Sequence, residues 1–309
     1  MRRLLVVTYH YVRDLPKTDY PRIKGLLTDA FRRQVDSLRA NYEMATWESL
    51  VAYLDGIYQP RRDLCYLTFD DGLKDHYKNV LPILVERGIS GAFFVVTASL
   101  ESGWVASAHK NHFLMATLPF DGLYTRFEQK VRNLVPRGVH EPDEATVRRA
   151  HPWDEPKVAR YKYLVNYGLP VEVRELVLDH LFEETFGDQN RFASDLYMNW
   201  DDVASLKSAG MTVGGHSHRH RALATLEPGA QVEDLRTCLE VIQKHCPDKT
   251  ALPFCYPYGM ADSFSDDTVR LVQETGFSAA FTFLHGWNQP GVDRYRLNRI
   301  DTNEVAKWV

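Results

Sequence analysis

The residues best equipped for chemistry come in two short stretches. The first, Leu64-Cys65-Tyr66-Leu67-Thr68-Phe69-Asp70-Asp71-Gly72, is an apolar run that stops abruptly in two carboxylates and a glycine. Its composition suits a short buried strand closed by a turn. In parallel α/β sheets and barrels, catalytic side chains collect at the C-terminal ends of such strands. Two neighbouring carboxylates repel, and burying either without a partner is costly. A bound cation would remove that cost. The same residues also have a purely structural reading, a strand-to-helix turn in which Asp71 caps the helix that begins near Leu73.

The second stretch, Val213-Gly214-Gly215-His216-Ser217-His218-Arg219-His220, runs from a strand-like segment through two glycines into three alternating histidines. On a helical turn, a spacing of four would put His216 and His220 on one face, with His218 pointing away. Two imidazoles and one carboxylate make a three-ligand set that leaves positions open for water and substrate, as catalytic metal sites do. By themselves the histidines would read as surface residues. With the carboxylate pair, the two stretches support one another.

Together with Tyr256-Pro257-Tyr258-Gly259, the runs Thr68-Phe69-Asp70-Asp71-Gly72 and His216-Ser217-His218-Arg219-His220 resemble, in order, the first three motifs of the polysaccharide deacetylase family. These are metal-dependent carbohydrate esterases. Tyr9-His10-Tyr11-Val12 is similar to the opening strand of one branch, and the resemblance spans residues 1–98 and 198–303. It implies an α/β fold, a distorted seven-stranded (β/α) barrel. It also implies one divalent ion, of the zinc type, on Asp71, His216 and His220, with Asp70 as general base. The backbone of Tyr258 would face the developing oxyanion and Tyr256 would lie at the substrate; a purely structural turn at Pro257-Tyr258-Gly259 is the alternative.

The expected activity is hydrolysis of the N-acetyl (or other N-acyl) group of an intracellular sugar or glycan precursor, such as those used in lipopolysaccharide or capsule assembly. The alternatives are an amidase for a non-sugar amide and a non-catalytic glycan-binding relative.

Two departures from the family pattern bear on mechanism. Where many relatives carry arginine two residues before the proline, this chain has Cys255, which supplies neither a fixed charge nor a two-pronged donor. Arg299, on the late strand-like run Tyr295-Arg296-Leu297-Asn298-Arg299-Ile300, is the candidate to hold Asp70 by one oxygen, leaving the other for water. The family's late leucine-x-histidine motif is also missing. Phe283-Leu284-His285 is its nearest equivalent, so His285 and His10 compete as general acid; His10 equally reads as a buried structural histidine.

The rest of the chain is organised around these ends. At 309 residues it can be read as one barrel domain over 1–309, in which strand and helix alternate until a mostly helical insertion at 99–199,. Trp104, His109 and His112 stand near the start of that insertion, either lining a substrate groove or packing a helical cap. The net charge of −4 and pI near 6.3 give no basic field for nucleic acid or an anionic membrane,. No stretch is long enough to span a bilayer, and no obligatory protein partner is evident. Four cysteines without CxxC spacing read as reduced thiols,. The opening apolar run reads as a first strand, not a signal peptide, and the expected compartment is the cytoplasm.

Overall fold

The sheet is built from segments whose residues alternate between two apolar environments. The computed structural model describes residues 2–135, 142–150, 154–247 and 252–309. The chain divides into two compact units: Met1–Pro16, Lys24–Trp104 and Ala193–Val309 form the first, and Lys17–Ile23 with Val105–Phe192 the second.

The first unit opens with β1 (Leu4–Tyr9), α1 (Thr28–Asn41), β2 (Glu43–Met44), α2 (Trp47–Leu54), β3 (Leu64–Phe69), α3 (Leu81–Arg87), β4 (Gly91–Val95) and α4 (Thr97–Ser102). The second unit is helical in its described residues. It holds α5 (Ser107–Thr117), α6 (Phe120–Leu134), α7 (Glu144–Ala150), α8 (Pro156–Tyr163), α9 (Val171–Phe186) and the start of α10 (Gln189–Leu196). Its core gathers Leu114, Phe127, Tyr161 and Leu178, with a buried Lys110 paired to Asp179. It starts later and ends earlier than the expected insertion, and it takes in residues 17–23 as well. The first unit then resumes with α11 (Trp200–Ser208), β5 (Thr212–Gly215), α12 (Pro228–His245), β6 (Pro253–Cys255), α13 (Asp266–Thr275), β7 (Ala279–Phe281) and β8 (Ile300–Asp301). Among the described residues, no helix is long and apolar enough to cross a membrane.

All strand pairs are parallel, in the order β7-β6-β5-β4-β3-β1-β8, with β2 against β3. The run before β8 closes the curve. Leu297 bridges Phe281 of β7, while Ile300 and Asp301 pair with Val7 and Thr8 of β1. This is a distorted (β/α) barrel whose seam is a few residues long.

Successive strand residues face opposite sides, and here both sides are buried. Leu4, Val6, Leu64, Tyr66, Phe94, Cys255, Phe281 and Leu297 share one cluster with Trp47, Leu50 and Tyr53 of α2, so this cluster is the barrel interior, plugged by a single helix. Leu5, Val7, Cys65, Leu67, Phe93, Val213 and Phe254 share the other with α1, α3, α12 and α13. The alternation has a direct consequence for the strand ends. Thr8 and His10 continue the interior face of β1, Thr68 and Asp70 that of β3, and Arg299 follows Leu297 by two. Close strand approach at β5 depends on Gly214, where a Cβ would sit 2.5 Å from the Pro253 carbonyl oxygen and 2.6 Å from Phe94.

Candidate metal and catalytic site

Asp70 and Asp71 leave β3 on different sides because the backbone turns sharply between them. The Asp70 N–H still donates to the Tyr9 carbonyl at 3.0 Å, as if the strand continued. Asp71 has φ of 80° and Gly72 of 67°. A non-glycine residue in the left-handed region is uncommon, and it persists only where the surroundings hold it. The helical segment that follows begins at Lys74 and widens into a π-turn at His76–Val80 before α3.

The histidine stretch corrects its sequence reading. His216 and His220 do not lie on a helical turn but on an irregular loop after β5, with φ of 62° at Ser217 and 49° at His220. The loop is held by a buried carboxylate: Asp234 of α12 accepts the N–H groups of His218 and Arg219 at 2.7 and 3.1 Å. Ser217 Oγ accepts the His220 N–H at 2.8 Å. His218 turns away, its Nδ1 2.9 Å from Thr97 Oγ1.

The loop brings His216 Nε2 to 3.4 Å and His220 Nε2 to 3.2 Å from Asp71 Oδ1. All three residues are buried, and their ligand atoms lie within 4.8 Å of one another. Donors about 2.0–2.2 Å from one zinc-type ion stand about 3.0–3.5 Å apart in tetrahedral or octahedral arrangement, so the spacing fits a shared cation. The orientation fits as well. His216 Nδ1 is 2.8 Å from the Cys255 carbonyl oxygen, to which it donates, so that the neutral ring carries its lone pair on Nε2, facing Asp71,. Burial opposes an imidazolium at His216, but Cys255, Asp71 and Asp70 outweigh it and its pKa stands well above the usual value. The pocket is therefore one that attracts positive charge.

Asp70 sits in a second cradle on the interior face. Arg299, 1% exposed, places Nη1 2.8 Å from Asp70 Oδ1 and Nη2 2.8 Å from Oδ2, so the fork spans both oxygens and not one as expected. Arg299 is itself fixed by Nε donating to the Thr282 carbonyl at 2.7 Å and by Thr68 Oγ1 at 3.2 Å. Oδ2 also receives Thr8 Oγ1 at 3.3 Å and the Cys255 thiol at 3.5 Å. Burial alone would raise the Asp70 pKa; the Arg299 charge, then His216 and the Arg299 hydrogen bonds, carry it well below the usual carboxylate range. Burial pushes the Cys255 thiol up, which keeps it a donor.

His10 Nε2 lies 3.8 Å from Asp70 Oδ2, and its side chain is 41% exposed. His285 is not brought to these carboxylates. Its Nδ1 pairs with Glu304 at 2.9 Å, and it lines a surface hollow with Arg3 and Asp63, the residues that lead into β1 and β3. Tyr258 has φ of 62° and its ring is 5.2 Å from that of His220. The following turn needs glycine, since a Cβ at Gly259 would come 2.6 Å from Phe283 N. Tyr256 is not at an accessible surface: it is 1% exposed, stacks on Phe264 at 4.5 Å and donates its hydroxyl to the Tyr295 carbonyl at 3.1 Å. Trp104 stands half-buried beside the histidine loop, the Arg219 guanidinium 5.8 Å from its ring centroid. His109 is fully buried within α5 and so lines no groove, whereas His112 on the same helix is exposed.

Thr8 and the Cys255 thiol were missed from sequence. Period-two counting back from His10 reaches Thr8, which was a usable signal; the contact from Cys255 depends on a strand register that no local pattern reveals.

The sequence profile of the polysaccharide deacetylase family matches residues 58–163 and 180–280. No curated protein matches. Among solved structures, IcaB from Ammonifex degensii is 19% identical with a TM-score of 0.60, covering 100% of this chain and 96% of that one. The deacetylase PplD of Streptococcus pyogenes, in complex with acetate, is 15% identical with a TM-score of 0.60, covering 97% and 92%. A de-N-acetylase from Aggregatibacter actinomycetemcomitans is 16% identical with a TM-score of 0.60, covering 99% and 100%. At these identities the structural likeness speaks to the fold.

Proposed function

The chain belongs to the polysaccharide deacetylase family, and from that premise we propose that it hydrolyses the N-acetyl group of a sugar or glycan precursor inside the cell, in the assembly of a surface polysaccharide. The observation that carries the reading is the pair of cradles at one strand tip. Asp71 joins two imidazoles, while Asp70, one residue earlier, is held ionised by Arg299.

Asp71, His216 and His220 would hold a divalent cation of the zinc type, which supplies Lewis acidity toward the amide carbonyl and the attacking water. Asp70 accepts a proton as water attacks the carbonyl carbon. Its Oδ1 receives only Arg299 Nη1 among the hydrogen bonds described above, so a second lone pair of that oxygen is the acceptor. The low pKa of Asp70 keeps it ionised across the working range. The Tyr258 N–H is assigned to the developing oxyanion, on the strength of its left-handed φ of 62° and its ring 5.2 Å from that of His220,. His10, half-buried and 3.8 Å from Asp70, protonates the leaving amine. Trp104 offers an aromatic face for a sugar ring.

The intracellular placement is supported by the thiols: all four cysteines are buried and form no disulfide, as in a reducing compartment.

The test is acetate release from a panel of N-acetyl sugar nucleotides and N-acetylglucosamine oligomers, set beside small linear and cyclic amides, with metal content measured on the same preparation. Release from N-acetyl sugars that stops with chelator and returns with zinc is expected. Release only from non-sugar amides would make the chain an amidase; sugar binding with no acetate from any substrate would make it a non-catalytic relative.

A further inference from the structure

The wide turn at His76–Val80 belongs to neither cradle, yet three side chains from it and its edge reach the same backbone segment. The Leu81 N–H bonds to the His76 carbonyl, one residue further than an α-helix allows, and such turns are frequent at functional sites. Asp75 Oδ2 accepts the Val12 N–H at 3.1 Å and Arg13 Nε at 2.7 Å. Asn79 Nδ2 donates to the Val12 carbonyl at 2.7 Å. His76 Nε2 is 3.0 Å from the His10 carbonyl oxygen. Residues 10–12 thus have one backbone donor and two backbone acceptors taken by side chains of a segment that begins four residues after Asp71.

His76 is fully buried, edge-on to Phe69 and Phe93 with ring centroids 5.6 and 5.8 Å away. Burial holds its pKa down at about 4, so the ring is neutral and carries one N–H. That proton is on Nε2, since the partner is a carbonyl. Nδ1 has no partner among the described residues, an imidazole spent on one backbone contact in an apolar setting where a phenylalanine would pack more cheaply.

We infer that Asp75, His76 and Asn79 are positioning residues that clamp the segment after β1 and thereby fix His10 against the reacting centre. The clamp rests on the reading of His10 as proton donor. It ties the donor to the turn that carries Asp70 and Asp71, so that acid, base and metal-binding carboxylate move as one body. Backbone bonds to Leu26, from its N–H to the Tyr11 carbonyl and from the Arg13 N–H to its carbonyl, hold residues 11 and 13; the side-chain clamp adds the His10 carbonyl and both backbone groups of Val12, and displacement by about 1 Å costs on the order of 10²-fold in rate.

The experiment compares two leaving groups and two backgrounds. Asn79→Ala, at a half-buried position, is the variant most certain to fold; His76→Leu and His76→Gln form a second pair, because glutamine can present an N–H near the position of Nε2. Rates are taken on penta-N-acetylchitopentaose, whose amine must be protonated to leave, and on 4-nitrophenyl acetate, whose phenolate leaves unaided. Asn79→Ala and His76→Leu are expected to lower kcat on the sugar amide about 10–100-fold with KM within about twofold, to spare the ester, and to speed amide hydrogen exchange over residues 10–13. His76→Gln is expected to recover part of the loss. In a His10→Ala background, Asn79→Ala should then change kcat by less than about twofold. Equal losses in both backgrounds, or equal losses on amide and ester, would make the contacts merely structural and overturn the clamp. A wild-type rate for His10→Ala itself would instead remove the proton-donor reading, and the clamp with it, whereas wild-type kcat and exchange in Asn79→Ala would overturn the clamp alone.

Discussion

Two pairs of neighbouring imidazoles among the described residues sit on different kinds of backbone, and one of them, His216 with His220, converges on the Asp71 carboxylate. His216 and His220 have ring centroids 4.9 Å apart, and His109 and His112 5.9 Å apart. The second pair lies on regular α5, where a spacing of three leaves one ring fully buried and the other exposed. The first lies on a loop with two residues in the left-handed region, and this irregular backbone turns both rings onto Asp71, itself left-handed. Among the described residues, His109 and His112 enter no group of three ligand atoms within 4.8 Å. Proximity of histidines alone therefore does not single out a ligand set; convergence on a carboxylate from left-handed backbone is what distinguishes the proposed one.

The comparison breaks most visibly at a ligand. His216→Ala is expected to lose stoichiometric zinc and measurable acetate release, whereas His109→Ala keeps the metal; elemental analysis of the two purified variants decides it, and a zinc-replete His216→Ala would misplace the site. Next in size, Asp70→Asn should retain zinc while kcat falls about 10²–10⁴-fold, because an amide keeps the shape but accepts no proton. Wild-type turnover in that variant would take the base away from Asp70.

Arg299→Lys sharpens the contrast between the two carboxylates. It keeps a charge but loses the fork, and should cost about tenfold in rate or more through misplacement of Asp70. The sign of its pH effect is set by what Arg299 does: it depresses the Asp70 pKa, so weakening it raises that pKa and moves the acidic limb of the pH–rate profile to higher pH,. The same linkage acts on stability. The ion pair's contribution is present above the unfolded pKa of Asp70 and fades as pH falls toward the depressed folded value. An unshifted acidic limb in Arg299→Lys would show that the guanidinium does not tune the base. The smallest effect is expected at His112→Ala, an exposed position: stability within about 0.5 kcal/mol by thermal unfolding and unchanged zinc content. A drop in zinc there would bring in the second pair as a ligand source that neither sequence nor geometry indicates.

Elements whose signal is local were legible in the sequence. The bounds of β3 and α2 follow from the apolar run before Asp70 and from Trp47 to Leu54, the latter closed at its start by reciprocal Thr46 and Ser49 bonds. The helix after Asp71 was foreseen, but not its π-turn, because the extra residue is stabilised by contacts to residues 10–13 that lie more than 60 positions away. Arg299 reached Asp70 as its place on a late strand suggested, yet its grip on both oxygens depends on barrel curvature. Tyr256 was misjudged because a motif names neighbours in sequence and not the face they occupy: at period two from Phe254 it joins the outer cluster, while Cys255 looks inward. His285 failed for a similar reason, since the chain after Leu284 turns toward Asn288, whose N–H meets the Leu4 carbonyl at the start of β1.

The short seam between β7 and β1 also sets an order of events during synthesis. Asp70 and the guanidinium that neutralises it are 229 residues apart, and Arg299 lies within the few residues that close the barrel. On a ribosome, β3 is complete long before its counter-ion exists. Burying Asp70 in that interval would bury an uncompensated charge, which is strongly unfavourable, so the strand tip is expected to stay hydrated in every partial product. Closure over so long a separation comes late in folding. Acetate release should therefore appear on refolding only once the seam is made, although Asp71, His216 and His220 all precede Arg299 in the chain.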